Sequence, residues 1–314
     1  MNPAPPGWSD PNAAPAASPR TNTILTVAAV VLTAVVLGTM IGVVLTHRET
    51  ILDKRATQRA IVTLIAANSP AGEPFMTAHS APTVSVSAAA VEAIRTATTG
   101  LPVSPDRGVR LVSGARAGLY GGTGDPTPCD APTLANYLDA HRGRAQVWGA
   151  VQKLHPDEIP YYLNTLTPVV LTVDTWVTSY GYGADGHATQ TQAVLQAGSA
   201  VMIDPAGVPR VRCAGAHPLT PPANVSFAEL SAVGAPWPGY EPQSVVAVAY
   251  SNGPASFSDP APTAPVGSFT LTDLGSGQPV SRTVGATIDL SSAPGLTTML
   301  PDPIAANEPD PSHP

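Results

Sequence analysis

The sequence predicts an α+β domain, short helical hairpins packed on antiparallel strands, preceded by one transmembrane helix. Three observations carry this prediction. Residues 23–46 run without a charge, long enough to cross roughly 30 Å of hydrocarbon at about 1.5 Å per residue. Apolar residues recur at helical spacing between Asp130 and Leu166,. From Thr167 onward, β-branched residues alternate between Gly- and Pro-rich turns,, and strands that follow helices in this way indicate α+β.

Taken in order, residues 1–22 are rich in Pro and Ala with no hydrophobic period and read as a disordered tail,. A PxxP-type ligand near Trp8 is the functional alternative to a plain tail. Residues 23–46 read as an uncleaved anchor, because a signal-peptide core is shorter and followed by a small-residue cleavage site. Gly38 and Gly42 form a Gly-x-x-x-Gly pair there,. Residues 47–68 continue as a juxtamembrane helix, with Ile51, Leu52, Ile61, Leu64 and Ile65 spaced for one face,. Residues 69–117, broken by Pro70, Pro74, Pro82, Pro102 and Pro105, form an irregular linker-like segment,. The domain proper is expected over 118–290, and 291–314 is a second disordered tail.

Orientation is contested. Arg48, Lys54, Arg55 and Arg59 follow the apolar run and only Arg20 precedes it, so the positive-inside rule puts the domain in the cytoplasm. Cysteine usage points the other way. Cys129 and Cys213 suit one disulfide if the region is exported; the alternative is two buried thiols.

Within the domain, the glycine-rich run from Gly118 to Asp125 lacks the Gly-Lys-Ser/Thr of a phosphate loop and reads as a turn,. Asp130 is an N-cap with Pro132 in the first turn. The first helix turns Leu134, Tyr137 and Leu138 to one side, the second Val147, Trp148, Val151 and Leu154, and the third Ile159, Tyr162, Leu163 and Leu166. Strands are expected from Val169 to Thr178, over 193–204 and over 208–213, the last two joined by a Pro205-Ala206-Gly207 turn, with Arg210 and Arg212 on a polar face. Residues 244–250 read as a buried strand, and 269–274 with 279–284 as a hairpin,.

The functional classes narrow by exclusion. Charged residues make up 12% of the 314, about half the usual quarter. The net charge is −7 and no basic cluster follows Arg59, which counts against nucleic acid. His79, His141, His155, His187 and His217 lack ligand spacing, so neither a metal nor a cofactor is expected,. Asp185 and His187, with a serine, make a triad only on paper. A cleft joining Asp174, Asp185, His187 and Asp204 would support hydrolysis; Asp174 or Asp204 in a structural ion pair with Arg210 or Arg212 is the plainer reading. Tyr180, Tyr182, Trp237 and Tyr240 lie near turns and suit either a ligand or core packing.

One further reading comes from the motif series Gly-Leu-Tyr-Gly-Gly-Thr, Cys-Asp, Leu-Thr-Pro-Val, Leu-Gln-Ala-Gly-Ser-Ala-Val, Gly-Val-Pro-Arg-Val-Arg-Cys and Pro-Leu-Thr-Pro-Pro between Gly118 and Pro222. It resembles an actinobacterial domain family of unknown function found in exported or membrane-anchored proteins. After Cys213 the chain reads Ala-Gly-Ala-His-Pro, where that family usually has a second Cys and Gly-Asn-Pro. The resemblance implies export and no known activity. The expectation is a single-pass protein of the cell membrane whose extracytoplasmic domain is a binding or accessory module for an envelope glycan or protein. The alternatives are a hydrolase acting on envelope material and a sensor signalling through a cytoplasmic partner.

Overall fold

The computed structural model describes residues 60–301 apart from 71, 78–83, 106, 123–128, 250–263, 292, 294 and 297. The expected tail (1–22), apolar span (23–46), most of the juxtamembrane helix and the end of the C-terminal tail lie outside the described residues.

The described chain is sheet-rich, with thirteen strands and four short helices. In order these are β1 (Ile61–Ile65), α1 (Ala88–Thr98), β2 (Arg110–Val112), β3 (Tyr120–Gly122), α2 (Ala131–Ala140), α3 (Arg142–Val151), α4 (Ile159–Thr165), β4 (Thr167–Leu171), β5 (Thr175–Tyr182), β6 (Ala188–Leu195), β7 (Ala200–Ile203), β8 (Pro209–Arg212), β9 (His217–Thr220), β10 (Ser231–Val233), β11 (Val246–Val248), β12 (Ser268–Asp273) and β13 (Pro279–Thr283). One hydrogen-bonded path runs β10-β1-β6-β5-β9-β8-β7-β4-β3-β12-β13, with β2 and β11 branching from β5.

This corrects the expected fold class of helical hairpins on antiparallel strands behind a transmembrane helix. The sheet is mixed: β1 pairs with β6 and β10, β11 with β2 and β5, and β12 with β3, all in parallel. Among the described residues no helix is long and apolar enough to cross a membrane. Two segment boundaries change as well. Residues 61–65 are a strand rather than the end of a helix, and 69–117 carry α1 and β2 rather than a linker.

The path bends at β9, which pairs with β5 on one side and β8 on the other. Each half turns apolar residues to both faces, as alternation along a strand requires. Val177, Ala193 and Leu195 from one half meet Val169, Leu171, Val201 and Ile203 from the other in a central layer. Ala200, Met202 and Val211 point outward under Leu134, Leu138, Trp148 and Leu163 of the helices. Val62, Leu64, Trp176 and Val194 form the opposite outer layer, covered by Phe227, Leu230, Trp237 and Tyr240. Burial on both faces explains near-continuous apolar runs such as β7.

The three helices between Asp130 and Leu166 form where periodicity puts them. Asp130 caps α2 by accepting from the Thr133 N–H at 2.9 Å. The Pro205-Ala206-Gly207 turn joins β7 and β8 in antiparallel register, and β12 and β13 form the expected hairpin. The glycine-rich run behaves differently: Gly121 and Gly122 lie in β3. A Cβ on Gly121 would come 2.5 Å from Leu274 Cδ2, so glycine there admits a packed leucine,. Cys129 and Cys213 are joined with Cα atoms 5.4 Å apart and a sequence separation of 84. On the loop-entropy account such a closure contributes about 4 kcal/mol.

Candidate functional site

Three connections meet at the start of β5: residues 172–174, residues 196–199 and the long coil after β10. Asp174 ties them together. Its Oδ1 accepts from the Ala197 N–H at 2.8 Å and its Oδ2 from the Trp237 indole N–H at 3.0 Å. The Asp174 carbonyl accepts from the Val246 N–H at 2.9 Å. Burial raises the carboxyl above its usual range, against the opposing pull of these two donors,.

Trp237 and Tyr240 stand over that carboxylate on a four-residue turn. The Tyr240 N–H bonds the Trp237 carbonyl at 3.1 Å. Pro238 presets the second position, and Gly239 supplies the positive φ of +85° required at the third,. The two rings meet edge to face, with centroids 5.2 Å apart and planes at 71°,. Both are half-buried and pack on the outer layer of Trp176 and Phe227. The Tyr240 hydroxyl is shielded and has no hydrogen-bond partner among the described residues. Burial, then the Asp174 charge, raises its pKa. The half-exposed rings offer a ligand an apolar face, while both Asp174 oxygens and the indole N–H are already engaged.

Residues 110–285 match the family described as Domain of unknown function (DUF6777), more than half of the chain. The chain belongs to the DUF6777 family. Its match begins at β2, so β1 and α1 lie upstream of the shared region. Neither the curated proteins nor the solved structures yield a match.

In this DUF6777 domain the remaining sequence candidates are dispersed. Asp185 and His187 sit at the exposed tip of the β5–β6 hairpin. There the Asp185 Oδ1 accepts from the His187 N–H at 3.1 Å and the rings and carboxylate face solvent. Asp174 is at the other end of β5, about 26 Å away along an eight-residue strand,. Asp204 lies in the β7–β8 turn, fully buried. The four residues a hydrolytic cleft would need are therefore not brought together. Among the described residues no group of three or more His, Cys, Asp or Glu is placed to hold a metal ion.

Asp204 makes the expected structural ion pair. Arg210 Nε donates to Oδ2 at 2.7 Å, while the Ala206 and Val208 N–H groups donate to Oδ1 at 2.9 and 3.0 Å. Burial pushes the carboxyl above its ordinary range, while Arg210 and the backbone donors pull it down. Arg210 and Arg212, expected on a polar face, are both buried. Gln152, which no sequence signal marks, donates to the Arg210 and Leu219 carbonyls at 3.0 Å each and accepts from the Tyr162 hydroxyl at 3.1 Å.

The aromatic candidates divide between the two ends of β5. Tyr182 is covered by Arg144, whose guanidinium carbon lies 4.2 Å from the ring centroid, and by the edge of Phe75. Tyr180 bonds Thr220 through its hydroxyl at 3.4 Å. All four rings are half-buried, and Tyr182, Trp237 and Tyr240 pack on the core; Trp237 and Tyr240 differ in meeting each other edge to face beside the Asp174 carboxylate.

Proposed function

We propose that this domain is a binding or accessory module of the cell envelope, acting on the extracytoplasmic side. Its partner is an envelope glycan or an envelope protein. Localisation at the cell membrane, in the exported setting of the actinobacterial proteins that the sequence resembles, is part of the same proposal and rests on sequence. The observation that carries the binding role is the Trp237–Tyr240 pair held over Asp174 by the indole hydrogen bond at 3.0 Å. The joined Cys129 and Cys213 support the extracytoplasmic side, because such bonds persist in oxidising compartments,.

The test is retention of the purified full chain on immobilised envelope fractions, comparing it with Trp237→Ala and Tyr240→Ala. Retention that falls at least tenfold in both variants supports the reading. Equal retention of all three proteins removes the site from consideration. A C-terminal periplasm-reporting fusion checks the side independently: activity is expected, and a silent reporter with reactive thiols in intact cells overturns export.

A further inference from the structure

A short strap, residues 72–76, crosses the end of β5 and the Gly215 turn that leads into β9. Main-chain bonds hold it. The Tyr182 N–H donates to the Glu73 carbonyl at 2.8 Å, and the Phe75 and Met76 N–H groups donate to the Gly215 carbonyl at 3.0 and 3.2 Å. Arg144 adds bonds to the Pro74 and Phe75 carbonyls at 3.1 and 2.9 Å. Phe75 and Met76 are its apolar anchors, buried in the helical layer. Its first two residues are exposed, and Gly72 has φ +90°. The strap lies upstream of the shared family region, which starts at Arg110.

His217 sits beneath this strap, 1% exposed. A Cβ on Gly72 would lie 3.4 Å from its Cε1, while Gly215, whose carbonyl the strap holds, closes over Nε2 and Cδ2. From β5 the Tyr180 carbonyl accepts from Nδ1 at 2.9 Å, and from β8 the buried Arg212 brings a positive charge. Other charges near the strap are turned elsewhere. Glu73 accepts from the Thr189 hydroxyl at 3.2 Å, and Arg144 lies over the Tyr182 ring. A proton added to His217 in the closed state therefore meets a like charge and no water.

We propose that residues 72–76 are an acid-operated strap: protonation of His217 beneath it releases the segment from β5 and the Gly215 turn and uncovers the seat of Phe75 on the helical layer. Opening admits water to the imidazole, and the open form then takes up the proton that the closed form refuses. The ordinary pKa of 6.5 and the closed-state value of about 3 set the window. Within it the ratio of open to closed molecules grows about tenfold for each unit that the pH falls. Acid thus populates a partly opened domain well before the closed form itself titrates. The strap lies at the opposite end of β5 from Asp174, so the proposal is independent of the envelope-binding role.

Native-state hydrogen exchange on the full chain between pH 7 and pH 4 tests it, read as protection factors so that the intrinsic pH dependence of exchange drops out. The strap is reported by the Phe75, Met76 and Tyr182 amides, and global unfolding by the Leu171 and Asp204 amides, which bond within the sheet. Strap amides should be at least tenfold less protected than the two reference amides at every pH. Their protection should fall at least tenfold from pH 6 to pH 4, with the fall under way by pH 5, where carboxylates stay largely charged. Strap amides that match the reference amides, so that only global unfolding frees them, overturn the proposal; so does strap protection that ignores pH. In His217→Gln the strap should stay protected at pH 4, and an unchanged fall in that variant also overturns it. If His217→Gln does not fold, the parent's protection factors decide.

Discussion

Gly215 closes over the imidazole of His217. A Cβ on Gly215 would stand 2.5 Å from His217 Nε2 and 2.7 Å from Cδ2, and the residue has φ +80°. Its carbonyl meanwhile accepts from the Phe75 and Met76 N–H groups at 3.0 and 3.2 Å. Gly215→Ala therefore faces both left-handed backbone strain and a steric clash. A loss of roughly 2–4 kcal/mol is expected, read as a lower denaturant midpoint. An unchanged midpoint would show that the turn relaxes freely.

The same imidazole sets a pH dependence. His217 donates from Nδ1 to the Tyr180 carbonyl at 2.9 Å, and Nε2 has no partner among the described residues. Burial, aided by the Arg212 charge, lowers its pKa from the ordinary 6.5 to about 3. Between these values the unfolded chain takes up a proton that the folded chain refuses. This contribution to stability is therefore complete above pH 6.5 and falls as the pH drops toward 3, by up to about 1.4 kcal/mol per unit,. Urea midpoints from pH 7 to pH 4 should fall more steeply for the parent than for His217→Gln. Parallel slopes would contradict the assignment.

Asp204 and Arg210 should be costly to break singly and cheaper to replace together. Asp204→Asn leaves a buried guanidinium short of its charge partner, so a loss of about 3–5 kcal/mol is expected. Replacing both with apolar residues of similar volume should cost less than the sum of the single changes. A double-mutant cycle measures the difference.

Asp174→Asn tests the support under the aromatic pair. The amide has one acceptor oxygen for two N–H donors, so either Ala197 or Trp237 loses its bond,. A stability loss of about 1–2 kcal/mol is expected, with a shift in tryptophan emission. Retention of the parent spectrum would place the indole outside the carboxylate's influence.

Reduction of the Cys129–Cys213 bond should lower stability by about 4 kcal/mol on the loop-entropy account,. Chemical unfolding with and without a dithiol reductant checks it. Coincident curves would mean that the unfolded chain keeps its ends close without the bond.

Local signals carried part of this fold. Asp130 before Pro132 and the Pro205-Ala206-Gly207 turn fix neighbours in sequence, and both are legible there. β1 was not, because Ile61, Leu64 and Ile65 fall at helical spacing while their partners in β6 and β10 lie far along the chain,. Arg210 and Arg212 alternate with Val211 as a solvent-facing strand does, but their face is buried too, where Arg210 donates to Asp204 and Arg212 to the Ser69 carbonyl. Trp237 was recognisable as an aromatic near a turn. Its bond to Asp174 was not, since it joins two loops with no shared period.

The placement of β1 sets an order of events at birth. Ile61–Ile65 leaves the ribosome before any strand it will pair with, and Ala193 and Ser231 follow only after most of the chain has been made. During that interval a short apolar segment has no sheet to join. A chaperone or translocation machine that holds extended, unpaired chain finds one here, and synthesis arrested before β6 should yield a nascent chain with this strand still open to protease.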